Sequence, residues 1–281
     1  VRVPRPTNLR AAVLNEPLAL QLGKALLWDE QLGSDGRTSC ATCHHHAGAD
    51  SRNVNTMHPG ANGTFQSVVL GGALTASRFP IRNDDVVGSQ GVVLHDFLGI
   101  APASAIDVGA ARGSVFGALP QVTRRNTPST INAIFNQVQF WDGRAVGVFN
   151  GRTIDGSPAT VLQARADGSI LPVSLRFDFA SAAAQAVGPP DSEVEMAWAG
   201  RKLADLGKKM LTLKPLGLQR VHAQDSLLGA LRDPSGIGLA TSYRSLIEGA
   251  FQPRWWRSNA ILDRAGNIVG HIIRWAEKAG A

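Results

Sequence analysis

The sequence is poor in cysteine: of 281 residues only Cys40 and Cys43 carry a thiol. That excludes a small disulfide-stapled scaffold, and a chain of this length can bury a substantial core without staples. No apolar run approaches the roughly eighteen residues of a membrane span, so the expectation is a soluble protein with no membrane span. Blocks of one charge are missing too. The 28 Lys and Arg exceed the 22 Asp and Glu, for a net charge of +6 and a pI near 9.9, but they are scattered. RKLADLGKK and RFPIRNDD read as solvated faces rather than a nucleic-acid surface, and the basic excess better suits an acidic protein partner. There is no βαβ alternation, internal repeat or low-complexity linker. The sequence starts VRVPRPTNLR, with neither an initiator Met nor a basic-then-apolar leader, which is the expectation for a mature form whose targeting segment has been removed.

What is present is a globular balance of 44% apolar and 18% charged residues. PLALQLGKALLWDE at 17–30 opens with Pro and repeats Leu18, Leu22, Ala25 and Leu26 at three- and four-residue spacing, which predicts an amphipathic helix. From about 47 to 125 the chain is rich in Gly, Asn, Ser and Asp, with SVVL and GVVL between turn signals, and reads as loops with a few short strands. Thr127-Pro128 resembles a cap and first helical residue, predicting a helix through STINAIFN. ATVLQARA and ILPVSLRF predict a hairpin inserted over about 145–180. Further helices are expected at 181–187, 193–213, 241–250 and 269–279. The predicted class is mainly α with long irregular loops and a small inserted β-hairpin. The predicted organisation is a single domain over 1–281, with its core about 17–144 and 181–250.

The chemistry concentrates in SCATCHHH at 39–46. Two thiols alone suggest a redox dithiol, and thiols with histidines suggest zinc. Cys-x-x-Cys-His also supplies two thiols spaced to add across the vinyl groups of one haem, with an adjacent imidazole for the iron. Zinc usually takes its second ligand pair from a distant segment, and a redox dithiol usually sits beside a βαβ unit. The pattern therefore favours one covalent haem c on Cys40 and Cys43, with His44 as the axial ligand. His45 and His46 are expected on the loop surface. Haem c is matured outside the cytoplasm, so the expected location is periplasmic or secreted. The sixth iron position has His58, His95, Met57 and Met196 as candidates.

Three stretches, LGKALLWDEQLGSDGRTSCATCH at 22–44, RRNTPSTINAIFNQVQFWDGRA at 124–145 and QAVGPPDSEVEM at 185–196, together resemble the amino-terminal haem domain of bacterial di-haem cytochrome c peroxidases and MauG. PLGLQRVHAQDSLLG and YRSLIEGAFQPRWW look like the larger, MauG-like multihaem branch, and the resemblance runs over most of 17–256. It implies a cytochrome c-like haem domain acting on peroxide or dioxygen. By this resemblance Glu195 takes a proton from peroxide and returns it to the departing oxygen, while Gln185, ten residues earlier, positions the oxygen species. From the residues alone, Ser192 and Glu195 also read as an S-x-x-E capping box at a helix start. Trp141 matches a tryptophan between two haems, though here 44 residues separate it from Gln185, which marks 145–180 as an insertion. The alternative for Trp141 is an ordinary core residue beside Phe140. Asn126 matches a calcium ligand near a domain interface. His58, fourteen residues after His44, lies out of register with the family's distal His and is a weak candidate for a sixth ligand.

The family carries a second haem on a carboxy-terminal domain, yet this sequence has cysteines for one. The expected partners are therefore a second haem-carrying chain or processed carboxy-terminal half, and an electron-donor protein. Two functions compete: a haem oxidoreductase subunit, and a non-enzymatic c-type electron carrier with a fixed sixth ligand. The denatured native protein is expected to weigh one haem more than its polypeptide; an intact mass matching the amino acids alone would return the zinc or dithiol reading.

Overall fold

The computed structural model describes residues 2–263 and 267–271. Helix α1 (Glu16–Trp28) forms where the period predicts it, with the Asn15 side chain accepting from Leu18 N and Pro17 in the first turn, where a missing N–H is not needed. The other described α-helices are short: α2 (Cys40–His44), α3 (Ser181–Ala186), α4 (Leu203–Met210) and α5 (Tyr243–Ala250). The described strands form separate antiparallel pairs: β1 (Met57–His58) with β2 (Val86–Val87), β3 (His95–Gly99) with β4 (Val108–Ala111), β5 (Val161–Ala164) with β6 (Ile170–Val173), and β7 (Ala260–Leu262) with β8 (Ile268–His271). The expected hairpin in 145–180 is β5–β6.

The mainly α expectation is corrected, because irregular chain outweighs these short helices. In the Gly- and Asn-rich region, buried or loop-facing carboxylates do the work of a ladder. Asp84 accepts from Ala61 N and Asn62 N, and Asp85 from Gln66 N and Ser67 N. Two helix expectations are cut short for local reasons. Over 127–136 only Ala133–Phe135 makes a 3₁₀ turn, because Asn132 takes a left-handed φ of 63° and Ser129 Oγ captures Ile131 N. Within 193–213 only α4 is helical, since the carbonyls of Pro190 and Met196 turn toward the Arg201 guanidinium. Of 269–279, residues 269–271 belong to β8 and the remainder lies outside the described residues.

The core gathers Leu22 and Ala25 of α1, Leu32, Met196, Leu206 of α4 and Leu246 of α5, with Leu26 and Cys40 packed against it. Helix α5 approaches α1 closely at Gly249, where an added Cβ would lie 2.7 Å from Leu18 Cδ1. At the end of α1, the buried Asp29 carboxylate accepts from Gln31 N, Leu216 N and Tyr243 Oη, the last two at 2.7 Å. Burial, reinforced by the Asp29 charge, pushes the Tyr243 phenol far above its ordinary pKa, so it serves as a fixed donor.

A second buried polar centre corrects the reading of RKLADLGKK as solvated. Arg201 and Lys209 are 1% exposed, and both pair with the buried Asp107, at 3.1 and 2.9 Å. Arg201 also donates to the carbonyls of Leu32, Pro190 and Met196, and Lys209 to that of Gly33. Burial lowers the pKa of both cations, opposed by Asp107. Asp107→Asn keeps the side-chain size but leaves two buried cations without their counter-charge; it is expected to cost about 3–5 kcal/mol in urea unfolding.

Candidate functional site

The Cys-x-x-Cys-His segment is one turn of helix, and its start is locally encoded. Ser39 Oγ accepts from Thr42 N while Thr42 Oγ1 accepts from Ser39 N, a reciprocal cap that satisfies two end donors. Helical spacing then puts Cys40 and Cys43 on one face, both as free thiols. They and His44 line a cavity of about 310 Å³. Gln185 of α3 and the turn residues Glu195 and Met196 line the same cavity, among apolar neighbours such as Leu27 and Ile134. All three stretches that carry the family resemblance thus meet in one space, within the about 300–1,000 Å³ of small-molecule sites.

His44 Nδ1 lies 2.8 Å from the carbonyl oxygen of Pro128. A carbonyl only accepts, so Nδ1 donates a proton to it and Nε2 is left out of this contact. This is the second contact by which a metal-bound histidine is oriented. The two thiols differ in surroundings. Burial pushes the Cys40 thiol up to about 11. Burial also raises Cys43, against the pull of Arg52, whose Nη2 donates to Sγ at 3.2 Å while paired with Asp50. The residues fit a covalent haem: two unpaired thiols on one helical face, an imidazole with its outer nitrogen engaged, and an apolar cavity shared by all three. Among the described residues no group of three or more His, Cys, Asp or Glu side chains is placed to hold a metal ion.

Glu195 is half-buried, and desolvation raises its pKa, opposed by a hydrogen bond with Ser192 and by His44 and Arg144. The capping box expected of Ser192 and Glu195 does not form: Ser192 N donates to Pro189 O and Glu195 N to Ser192 O, the two residues meet through their side chains, and a turn follows rather than a helix. The remaining sequence candidates lie elsewhere. Trp141 is 69% exposed, with the Arg125 guanidinium 3.7 Å over its ring, and not a core residue. Asn126 staples loops: its Oδ1 accepts from Ser89 Oγ and Thr127 N, and its Nδ2 donates to Asp50 O. His58 does not line the cavity; its Nδ1 accepts from Gly60 N and its ring packs on Phe116. His95 stacks on Trp198 and also stands outside the cavity lining, as does Met57. His45 is exposed as expected, while His46 is half-buried. Sequence reasoning missed Arg52 and the Pro128 carbonyl; Arg52 had no local signal, whereas Pro128 sits inside a stretch already singled out.

Residues 17–215 match the family model described as di-haem cytochrome c peroxidase. No curated protein and no solved structure matches the chain. Because the cap on α2 rests on a hydroxyl, Ser39→Ala is expected to lower stability by about 1 kcal/mol, read from the denaturation midpoint.

Proposed function

The chain belongs to the di-haem cytochrome c peroxidase family, and from that premise we propose that it is a periplasmic haem c oxidoreductase subunit that reduces peroxide or activates dioxygen. The family's chemistry is haem-based peroxide or redox chemistry. The observation that carries the finer reading is the convergence of Cys40, Cys43, His44, Gln185 and Glu195 on one largely apolar cavity. Cys40 and Cys43 would hold the haem through thioethers, and His44 Nε2 would bind its iron. When bound, that haem supplies the electrons that break the oxygen–oxygen bond.

The chain's own residues supply proton handling and position. A Glu195 carboxylate inside the cavity takes the proton from one peroxide oxygen and returns it to the oxygen that departs as water. The Gln185 amide offers both a donor and an acceptor to hold the peroxide in place. Burial helps: it lifts the pKa of Glu195 toward the working pH, where a carboxyl exchanges protons most effectively.

Two cysteines account for one covalent haem, so the second haem of a di-haem unit is assigned to other polypeptide, whether a partner chain or a processed carboxy-terminal half. Exposed Trp141, with exposed Ile131, Phe135 and Val138 beside it in sequence, supports a docking face for that haem-bearing partner. The similarity of the later chain text to the MauG-like branch is part of this proposal, and so is export. Among the described residues no helix is long and apolar enough to cross a membrane.

One observation favours a second reading. Met196 is buried and lines the cavity, and a thioether fixed on the iron would make the protein a c-type electron carrier without turnover. A ferric spectrum separates the two. High-spin bands and rapid reaction with hydrogen peroxide are expected; a low-spin spectrum inert to peroxide in both oxidation states would establish the carrier. Glu195→Gln is expected to retain haem and lose peroxide turnover. The carboxyl works only when ionised, and its folded pKa is raised above 4.5. Wild-type turnover should therefore fall as pH drops through a value above 4.5, and this acid limb should vanish in the variant.

A further inference from the structure

A second cavity, of about 420 Å³, is unrelated to the thiols and the imidazole. Its walls come from two places: the tip of the β5–β6 hairpin, with Arg165 and Gly168, and the segment after α5, with Arg254, Arg257, Ser258 and Asn259. The hairpin lies in the expected insertion and the second segment lies past residue 215, where the family match ends. Nothing in the haem chemistry calls for this cavity.

Both walls are held rigid. At the tip, Arg165 N donates to Ser169 O and Gly168 N to Arg165 O, and Gly168 has a φ of 82°, a conformation that favours glycine. An added Cβ there would lie 3.1 Å from Asn259 Oδ1, so the glycine also leaves room beside that atom. In the other wall, Trp255 Nε1 donates to Ala11 O and Trp256 Nε1 to Phe251 O, which anchors the turn Pro253–Trp255 and its neighbour Arg257. Ser258 Oγ, bonded to Gly168 O, ties the walls together.

Charge decides what the cavity attracts. Three guanidinium groups face one carboxylate, Asp167, leaving an excess of two positive charges. Asp167 is itself engaged by Ser169 N and Oγ, and none of the three arginines forms an ion pair among the described residues. The excess of guanidinium charge asks for a doubly negative ligand with several oxygens to share among the arginines, which hydrogen phosphate and phosphate monoesters supply.

We propose that this cavity, with Arg165, Arg254 and Arg257 in its walls, binds a small phosphate-bearing ligand. The test is calorimetric titration of the full haem-loaded protein with inorganic phosphate at low ionic strength, with malonate as the dicarboxylate control. Saturable binding of one phosphate is expected, weakened about tenfold in Arg165→Gln and again in Arg257→Gln, the loss of one charge-assisted contact each. Both side chains are exposed, so the folded state should persist, checked by an unchanged haem spectrum. Absence of saturable binding, phosphate binding unaltered in both variants, or tighter binding of malonate than phosphate would overturn the assignment. None of these outcomes bears on the haem reading.

Discussion

The arrangement of the cavity beside the cysteine turn depends on one buried carboxylate. Asp107, at the entry to β4, holds Arg201 and Lys209 by their charges, and these two cations in turn gather the carbonyls of Leu32, Gly33, Pro190 and Met196. Ser34 adds to the same knot, donating to Met196 O from its N–H and accepting from Trp198 N at its hydroxyl. The consequence is geometric. The chain entering the cysteine helix is fixed against the turn that carries Glu195, so thiols and carboxyl share a cavity although about 150 residues separate them in sequence. A buried ion pair of this kind is a poor source of net stability compared with well-packed hydrocarbon. Here its return is a unique register between two loops that have no ladder to set it.

The same centre explains what could and could not be read from the sequence. Helix α1, the cysteine turn and the β5–β6 hairpin were legible because each is specified locally, by apolar period, by motif spacing or by alternation between turn signals. Gln185 and Glu195 were legible through family resemblance, and both line the cavity. RKLADLGKK was misread because the burial of its two end residues depends on a carboxylate 94 residues upstream of Arg201, which no local pattern announces. The NTP segment failed for the opposite reason. Its helix signals were genuine, but Ser129 and Asn132 offer the backbone local alternatives, and the Pro128 carbonyl is engaged by His44 instead.

That engagement shows how little reorganisation the site needs. An imidazole free in solution samples two tautomers and many orientations. In His44 the Nδ1–H is held by a backbone carbonyl, which fixes the orientation of the ring. The thiols are likewise on one face before any bond forms, and Arg52 gives Cys43 a polar contact that the more buried Cys40 does not share. A ligand set prepared this way spends little conformational entropy on capture.

The exposed apolar residues complete the argument about partners. Ile134 belongs at once to the cavity lining and to the exposed stretch that includes Ile131, Phe135, Val138 and Trp141. A soluble surface rarely keeps such residues together unless something covers them. A protein seated there would lie one side chain away from the cavity, with Trp141 and its overlying Arg125 in the contact. The proposed partner would approach the first haem's site from this side, where Ile134 reaches the cavity.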